Sequence, residues 1–191
     1  MIIRFCYKII ATIVKRCIAI EKKQQNISLK TLILSNGGKL GEDVKFGHNV
    51  IISGTNNISI GNNVHIGTGC FIRSEGGLTI GDNVILSRNI VLYTSSHNYK
   101  GDLLPFDSNN INKAVIIEDN VWVGMNVTIA PGTIIREGAI IGLGSRIYGE
   151  IPTRAIVGSN GNIIGYRDAN HYKNLKTLKK FCKEDGKEYH Q

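Results

Sequence analysis

Residues 115–152 read VIIEDNVWVGMNVTIAPGTIIREGAIIGLGSRIYGEIP, and this stretch decides the fold. A large aliphatic residue recurs at every sixth position from Ile117 to Ile147. The same spacing runs earlier, from Leu40 to Leu92, where two-residue expansions interrupt it. Neither an α-helix nor an alternating strand has this period. The spacing therefore predicts hexapeptide repeats that stack into a parallel β-helix, which is an all-β fold.

Each hexapeptide of such a fold forms a short strand and a turn, and its aliphatic side chain points inward. Successive coils lie about 4.8 Å apart, and each coil buries its apolar face only against its neighbours. A glycine often follows the aliphatic residue, as at Gly47 and Gly124. Because glycine tolerates backbone angles that other residues resist, we expect these glycines at the sharp bends. An all-β sandwich with coincidental spacing is the alternative interpretation.

The chain of 191 residues is long enough for one domain with appendages. We predict an N-terminal helical segment over residues 1–34, a β-helix domain over 35–167, and a C-terminal helix and tail over 168–191. Residues 97–114 break the hexapeptide period with the polar sequence HNYKGDLLPFDSNNINKA. Segments of this length in a compact domain are usually functional or disordered. The protruding loop is therefore a candidate functional element.

Charge and cysteine content restrict the possible partners and compartments. The formal net charge is +8, and the basic residues gather at both ends of the chain, which favours anionic partners. No recognised nucleic-acid fold or stacking motif accompanies the charge, so a nucleic-acid partner is not expected. The four cysteines are scattered without a CxxC pair. This pattern indicates free thiols in a reducing compartment such as the cytoplasm, and it predicts no metal site.

The first 20 residues are apolar but interrupted by charge. Arg4, Lys8, Lys15 and Arg16 are too many charges for a membrane-spanning helix. Two interpretations remain open. The helix packs on the core or on another subunit, or it lies on an anionic membrane surface. In the second case the protein is cytoplasmic and peripheral to the inner face of the membrane.

His97 stands where the repeat stops and the loop begins. A neutral imidazole can take a proton from an alcohol near physiological pH, so this histidine is a candidate general base. A histidine that only anchors the loop is the structural alternative.

The segment after the loop carries further short motifs. They are Val121-Trp122-Val123-Gly124, Ala130-Pro131-Gly132, Gly142-Leu143-Gly144-Ser145, Glu150-Ile151-Pro152 and Ile156-Val157-Gly158. At these residues the chain resembles the hexapeptide-repeat acetyltransferases, in particular the branch that acetylates sugar and polysaccharide hydroxyls. The resemblance covers about residues 40–167, and Asn120 through Pro152 match the family spacing without a gap.

The resemblance implies a left-handed β-helix and a homotrimer with active sites between subunits. It also implies acetyl-CoA as co-substrate, bound along the groove between neighbouring subunits. The implied activity is O-acetylation of a saccharide hydroxyl on a capsule, O-antigen or other cell-envelope glycan, with His97 as the general base. N-acetylation of an amino sugar, acetylation of a small-molecule alcohol and a non-enzymatic scaffold are the alternatives.

Roles for other residues follow from the same resemblance. Trp122 is expected to line the acceptor site, and Tyr148 and Thr68 are further candidates for that lining. The N–H of Gly124 is a candidate donor to the oxyanion of the transition state. The residues expected to contact coenzyme A are Gly124, Met125, Ala130, Gly142, Leu143, Ser145, Arg154 and Arg167. The two arginines are included as cations for the nucleotide phosphates, because lysines that relatives carry at two positions are absent here.

Overall fold

A computed structural model describes residues 2–189, without the side chains of residues 2–6, 8 and 9. The predicted contribution of those side chains to a membrane-facing helix, and the last two residues of the predicted tail, lie outside the described residues. Helix α1 spans Ile2–Ser35 and helix α2 spans Ala169–Thr177. Neither helix, over the described part of the chain, has both the length and the apolar character that a bilayer crossing requires.

Short strands make up most of the rest of the chain. In chain order they are β1 Lys39–Leu40, β2 Lys45–Phe46, β3 Ile51–Ser53, β4 Ile58–Ile60, β5 His65–Ile66, β6 Phe71–Arg73, β7 Leu78–Ile80, β8 Ile85–Leu86, β9 Val91–Tyr93, β10 Ser95–His97, β11 Asn110–Asn112, β12 Val115–Ile117, β13 Trp122–Val123, β14 Thr128–Ile129, β15 Ile134–Ile135, β16 Ile140–Ile141, β17 Arg146–Ile147, β18 Glu150–Ile151, β19 Ala155–Val157, β20 Ile163–Tyr166, β21 Phe181–Cys182 and β22 Glu188–Tyr189. One 3-10 turn, Thr55–Asn57, precedes β4.

The strands form the three sides of a triangular prism. Sheet A stacks β1, β4, β7, β12, β15 and β18, and sheet B stacks β2, β5, β8, β13, β16 and β19. Sheet C stacks β3, β6, β9, β14 and β17. All these neighbours pair in parallel, so the chain winds repeatedly through A, B and C. The architecture is the left-handed β-helix, with about six turns, that the resemblance implied.

The core is a column of stacked aliphatic side chains. Residues in register on successive coils, such as Leu86, Val123 and Ile141 of sheet B, are at most 1% exposed. Complete burial of one such side chain stabilises the fold by roughly 1.5–3 kcal/mol. The six-residue period therefore reflects one inward side chain for each side of each coil.

The glycines after the aliphatic residues act through close packing and not through unusual backbone angles. A Cβ on Gly47 would lie 2.4 Å from the backbone nitrogen of Thr68, and one on Gly124 would lie 2.7 Å from that of Leu143. The left-handed backbone positions at the corners are filled by asparagine, for example Asn83 with φ 57°, and by other glycines, for example Gly132 with φ 81°. Asparagine tolerates this region better than other residues with a side chain. The expectation that these glycines supply the bend angles was wrong, because they serve close coil contact.

Helix α1 covers the first end of the prism with its last turns. Ile33 is completely buried in the core. Gln25 and Asn26 accept hydrogen bonds from the backbone N–H groups of Asn49 (3.1 Å) and Phe46 (3.4 Å). These contacts satisfy donors of the first coil, which has no coil beneath it.

The C-terminal segment folds back over sheet B. Helix α2 ends at Thr177, and the predicted tail contains β21 and β22, which form an antiparallel hairpin. The ring of Tyr172 lies against Gly138, where an added Cβ would be 2.8 Å from ring carbons. The hydroxyl of Tyr172 donates to Glu137 at 2.9 Å. We call residues 168–189 the C-terminal strap, because it is tied to the prism at this corner.

Candidate active site

His97 ends strand β10 at the corner where sheet C passes into sheet A. The expected polar loop begins and ends as an antiparallel hairpin, in which His97 lies opposite Asn110 and Ser95 opposite Asn112. The side chain of His97 is exposed, and its ring stacks on Phe106 with centroids 3.9 Å apart and planes inclined by 7°. One face of the imidazole is therefore covered, and this contact restricts its rotation.

Asp107 holds the far end of this hairpin together. Its carboxylate accepts from the backbone N–H of Asn109 at 2.8 Å and from the amide of Asn98 at 2.9 Å. The backbone N–H of Asn109, followed by the two asparagine side chains, holds the pKa of Asp107 below its usual range. The carboxylate is therefore charged at neutral pH and orders the segment that carries Phe106.

Two other predicted site residues share the corner between sheets C and A. Ala130 follows β14 and Tyr148 follows β17, so both lie on coils above the one that leads into the hairpin. Tyr148 is 80% exposed and is free to contact a ligand. Lys113, at the end of the hairpin, accepts a hydrogen bond from the N–H of Gly132 at 3.1 Å. The hairpin base is thus fixed against the coil that contains Ala130.

Most predicted coenzyme A contacts lie at a different corner, between sheets B and C. Gly124 and Met125 form one level, and Gly142 and Leu143 form the next, with Gly144 donating to the carbonyl of Met125 at 2.8 Å. The side chains of Met125 and Leu143 are 43% and 68% exposed, so they form an apolar strip. Thr68 lies at this corner too, on an earlier coil.

Two expectations at this corner are corrected. The N–H of Gly124 donates to the carbonyl of Ile141 at 2.8 Å, so it is used by the parallel ladder and is not available to an oxyanion. Ser145 is completely buried, with its hydroxyl 2.6 Å from the carbonyl of Gly142 and 2.8 Å from that of Gly158. Its side chain holds the corner together and does not face a ligand.

The two predicted arginines lie beside the third corner, between sheets A and B. Arg154 donates from Nη1 to the carbonyl of Arg167 at 3.0 Å. Arg167 donates to the carbonyl of Gly138 at 3.3 Å, and its guanidinium lies 4.9 Å from the ring centroid of Tyr172. Both arginines are only partly exposed and tie the strap to the prism. This structural use explains their position away from the apolar strip.

Trp122 lies on the outer surface of sheet B, beside a cavity under the C-terminal strap. The indole is 52% exposed and donates from Nε1 to the hydroxyl of Ser87 at 3.3 Å. The cavity has a volume of about 530 Å³. Its floor includes Ile85, Trp122 and Ile140, and its roof includes Leu175 and Phe181. An apolar floor with one aromatic platform suits the apolar face of a ring-shaped ligand.

A polar cluster that the sequence did not suggest lies one coil before the hairpin. Glu75 accepts from the hydroxyl of Ser53 at 2.7 Å and pairs with Arg73 at 3.3 Å. Arg73 also lies 5.5 Å from the ring centroid of Tyr93, near the base of the hairpin. Although burial alone would raise the pKa of Glu75, the hydrogen bond from Ser53 and the charge of Arg73 hold it below its usual range. The sequence signal that could have found this cluster is the twenty-residue spacing of Ser53, Arg73 and Tyr93, which places the three residues in register on successive coils.

The candidate residues thus occupy separate corners of one chain. His97 and Tyr148 lie at one corner, and Met125 and Leu143 lie at another. A side of the prism separates the two corners, and six residues of extended chain span roughly 20 Å. The two groups therefore lie apart within one chain. Among residues 2–189, no three His, Cys, Asp or Glu side chains are grouped so that they could hold a metal ion.

Comparison with known proteins gives matches in both repeat regions. The family model described as bacterial transferase hexapeptide (six repeats) matches residues 114–149. The model described as hexapeptide repeat of succinyl-transferase matches residues 39–74 and 57–94.

Two similar curated proteins come from Escherichia coli (strain K12). A galactoside O-acetyltransferase is 30% identical over 127 residues, which cover 66% of this chain and 62% of the relative. A protein with the provisional name lipopolysaccharide biosynthesis O-acetyl transferase is 32% identical over 88 residues, which cover 42% of this chain and 45% of the relative. The chain therefore spans less than two thirds of the length of these relatives.

Solved structures share the fold at lower sequence identity. A hexapeptide-repeat acetyltransferase from Vibrio cholerae, complexed with acetyl coenzyme A, matches with a TM-score of 0.63 and 23% identity over 76% of this chain and 89% of that one. An N-acyltransferase from Bacillus cereus, in complex with dTDP and 3-hydroxybutyryl-CoA, matches with a TM-score of 0.61 and 18% identity, over 74% and 89% respectively.

Proposed function

We propose that the chain, whose repeats match hexapeptide transferase models and a galactoside O-acetyltransferase, is a hexapeptide-repeat acetyltransferase that transfers an acetyl group from acetyl-CoA to a hydroxyl of a saccharide. The observation that carries the proposal is His97, an exposed imidazole that Phe106 stacks upon at the start of the long loop that interrupts the repeat. The galactoside O-acetyltransferase among its relatives supports a saccharide acceptor. The relative named for lipopolysaccharide biosynthesis supports a cell-envelope glycan in particular.

In the proposed reaction His97 acts as the general base. Its neutral imidazole takes the proton of the acceptor hydroxyl as the oxygen attacks the thioester carbonyl carbon. A C–O bond forms, the C–S bond breaks, and the imidazolium returns the proton to the coenzyme A thiolate. The proposed catalysis depends mainly on holding the two substrates together, because neither step needs a covalent intermediate with the protein.

The proposed assembly is a homotrimer in which each site uses two chains. One chain supplies the hairpin with His97. Its neighbour supplies the apolar strip of Met125 and Leu143 for the pantetheine arm, together with Trp122. Support comes from the hairpin tip, where Leu103 and Leu104 are 64% and 97% exposed. A protruding apolar tip is costly in water and is stabilised by contact with another surface.

We assign the acceptor to the cavity beside Trp122. The half-exposed indole offers a flat apolar platform, and Ser87 fixes the orientation of that ring. Tyr148 would approach this cavity from the chain that supplies His97, since the two share a corner. Thr68 and Ala130 remain candidates for acceptor and coenzyme A contacts, respectively. The cytoplasm is the proposed compartment, because acetyl-CoA is made and used there.

N-acetylation of an amino sugar is the second candidate function. The observation that favours it is the shared fold with the Bacillus cereus N-acyltransferase. The same imidazole could take the proton that the amine nitrogen loses as it attacks the thioester.

The test is an acetyl-transfer assay that follows release of free coenzyme A thiol with panels of neutral saccharides and amino sugars. Alkaline hydroxylamine then distinguishes the products, since it cleaves an ester and leaves an amide intact. We expect a hydroxylamine-labile product from a neutral saccharide. A stable product formed only from amino sugars would favour the second function, and absence of coenzyme A binding by calorimetry would contradict both.

A further inference from the structure

Among its described side chains, helix α1 packs on the prism through its last third, and Cys17 and Ile20 line an open groove beside Val50 and Ile51. The half-buried or buried residues of the helix are Gln25, Asn26, Leu29, Lys30 and Ile33. Residues 10–24 are exposed at every position. The described residues 10–24 of this 34-residue helix therefore present exposed side chains to solvent.

The side of the helix that packs on the prism near its end carries basic residues farther back, in the exposed part. At 3.6 residues per turn, Lys15 and Lys22 lie on the same side of the helix as Leu29 and Ile33. Arg16 and Lys23 flank this side, and no acidic residue occurs before Glu21. The exposed part therefore cannot continue the apolar contact that Ile33 makes with the core.

The apolar residues of the exposed part form one continuous stripe on the other side. The stripe comprises Tyr7, Ile10, Ile13, Val14, Cys17, Ile18 and Ile20. Its centre lies about 130° around the helix axis from the side that packs on the prism, its edge at Ile18 adjoins that side, and Glu21 lies within its arc. Apart from Cys17, which is also exposed, these side chains are 44–70% exposed. The arc is close to half of the helix circumference.

We propose that this stripe inserts into the headgroup region of an anionic membrane. A broad apolar arc whose polar side carries only basic charges is typical of helices that lie in the membrane interface. The apolar residues would enter the acyl boundary, and Lys15, Arg16, Lys22 and Lys23 would lie level with lipid phosphates. Each basic residue near an anionic surface adds to the attraction, and added salt weakens it.

Charge complementarity favours lipid over a second copy of this helix. Helices that associate in water usually pair basic with acidic residues beside the apolar seam. Here the flanks of the stripe carry Lys15, Arg16 and Lys23, whereas Glu21 lies within the stripe itself, so the basic flanks of two copies would repel one another. Phosphate headgroups supply the missing negative charge.

The consequence is that the acetyltransferase prism is held at a membrane surface. The inference does not depend on the proposed reaction, because α1 is separate from the hairpin and from the cavity beside Trp122. If the acceptor is a glycan under construction on a lipid, membrane attachment places the enzyme beside it.

The test is co-sedimentation of the full-length protein with vesicles of phosphatidylcholine containing phosphatidylglycerol, compared with phosphatidylcholine alone. We expect the protein to bind the anionic vesicles and to be released by 0.5 M salt, roughly following the Debye screening of surface charge. Ile10→Asn is expected to weaken binding at least tenfold, because it removes a large side chain from the centre of the stripe. Ala19→Asn adds the same side chain on the basic side and is expected to leave binding within about twofold.

A second pair of variants separates local charge from net charge. Lys15→Glu with Lys22→Glu should reduce vesicle binding at least tenfold. Lys173→Glu with Lys179→Glu changes the net charge by the same amount on the C-terminal strap and should have little effect. Circular dichroism confirms that each variant is folded.

Three outcomes would overturn the proposal. They are equal binding to neutral and anionic vesicles, equal effects of the two members of either pair, and no binding to either vesicle. In the last case, sedimentation equilibrium without lipid identifies the alternative partner. Dissociation of an oligomer by Ile10→Asn but not by Ala19→Asn would assign the stripe to contact between copies of this chain.

Discussion

The regular coils and the β10–β11 hairpin differ in how much of their side chains they bury. In the coils, side chains such as Ile129 and Ile135 are completely buried and carry no reactive group. In the hairpin, only Ser95 is buried, while His97 and Leu104 are exposed. The coils therefore provide stability, and the hairpin carries the proposed general base. A substitution in one region should leave the property of the other unchanged.

The largest expected effect is on catalysis. We expect His97→Ala to lower the rate of acetyl transfer by about 10²–10⁴-fold, the usual contribution of a general base. Its melting temperature should stay within error of the unchanged protein, because the side chain is exposed and outside the core. Thiol-release kinetics and thermal unfolding measure the two properties. His171→Ala, at an exposed position of α2, is the control, and unchanged turnover in His97→Ala would remove this residue from the mechanism.

The next largest effect is on stability. Ile129→Ala should reduce the free energy of unfolding by about 2–5 kcal/mol, since it leaves a cavity in the aliphatic column. Tyr99→Ala, at a position 68% exposed in the hairpin, should change it by less than about 0.5 kcal/mol. Urea denaturation followed by circular dichroism measures both. Similar losses for the two variants would mean that the hairpin is packed as tightly as the coils.

A smaller effect on turnover should come from the ring that stacks on His97, the proposed general base. We expect Phe106→Ala to lower turnover by up to about tenfold, because a stacked aromatic pair contributes about 0.5–1.5 kcal/mol. The Michaelis constant for acetyl-CoA should change little, since Phe106 acts through His97. Tyr99→Ala serves as the control within the same hairpin. A loss confined to substrate affinity would assign Phe106 to binding instead.

The smallest expected effect is on the pH dependence of stability, and it concerns the second hairpin, β21–β22. Unlike β10–β11, this hairpin is bonded to the side of the prism. Glu184 pairs with Lys45 at 3.2 Å, and Asn63 donates to the carbonyl of Cys182 at 3.1 Å. Burial beside this strap lowers the pKa of His65, with Glu184 raising it and Lys45 lowering it further. The unfolded chain therefore binds a proton more readily than the folded one. Stability should fall as the pH falls below about 6.5, the ordinary histidine value.

His65→Gln should flatten that part of the pH dependence of the urea midpoint between pH 7 and pH 5, because the substituted side chain does not titrate there. Glu184 has a lowered pKa despite burial, which alone would raise it, because its own backbone and Lys45 stabilise the charged form. Its contribution is lost only at lower pH, as the pH falls through its folded pKa. A midpoint that falls equally in both proteins between pH 7 and pH 5 would show that His65 is not the titrating group.

The repeat, the position of the break in it and the candidate base could all be predicted from the sequence. Aliphatic side chains at every sixth residue can all be buried when the chain winds around a triangular core. The spacing from Ile117 to Ile147 therefore predicts which side chains lie inside. His97 was identifiable because a regular pattern makes its interruption visible. The same pattern did not reveal why glycine follows the aliphatic residues, since close approach to the next coil depends on the stacked structure.

Features that depend on distant parts of the chain were not readable from local sequence. The predicted C-terminal helix stops at Thr177 and the strap closes as a hairpin, and its contacts reach Lys45 and Asn63, more than 100 residues away in the chain. Likewise, Ser145 fits a family motif, but only the folded corner shows its hydroxyl turned toward two carbonyls.

The sequence by itself therefore determined the coil, because each repeat carries its own inward side chain and buries it against the neighbouring repeats alone. Only the tertiary structure decided which residues share a corner, which N–H groups are already used by the ladder, and which face of α1 is left without a partner. Those properties depend on packing between segments far apart in the chain, and no local pattern of residues encodes them.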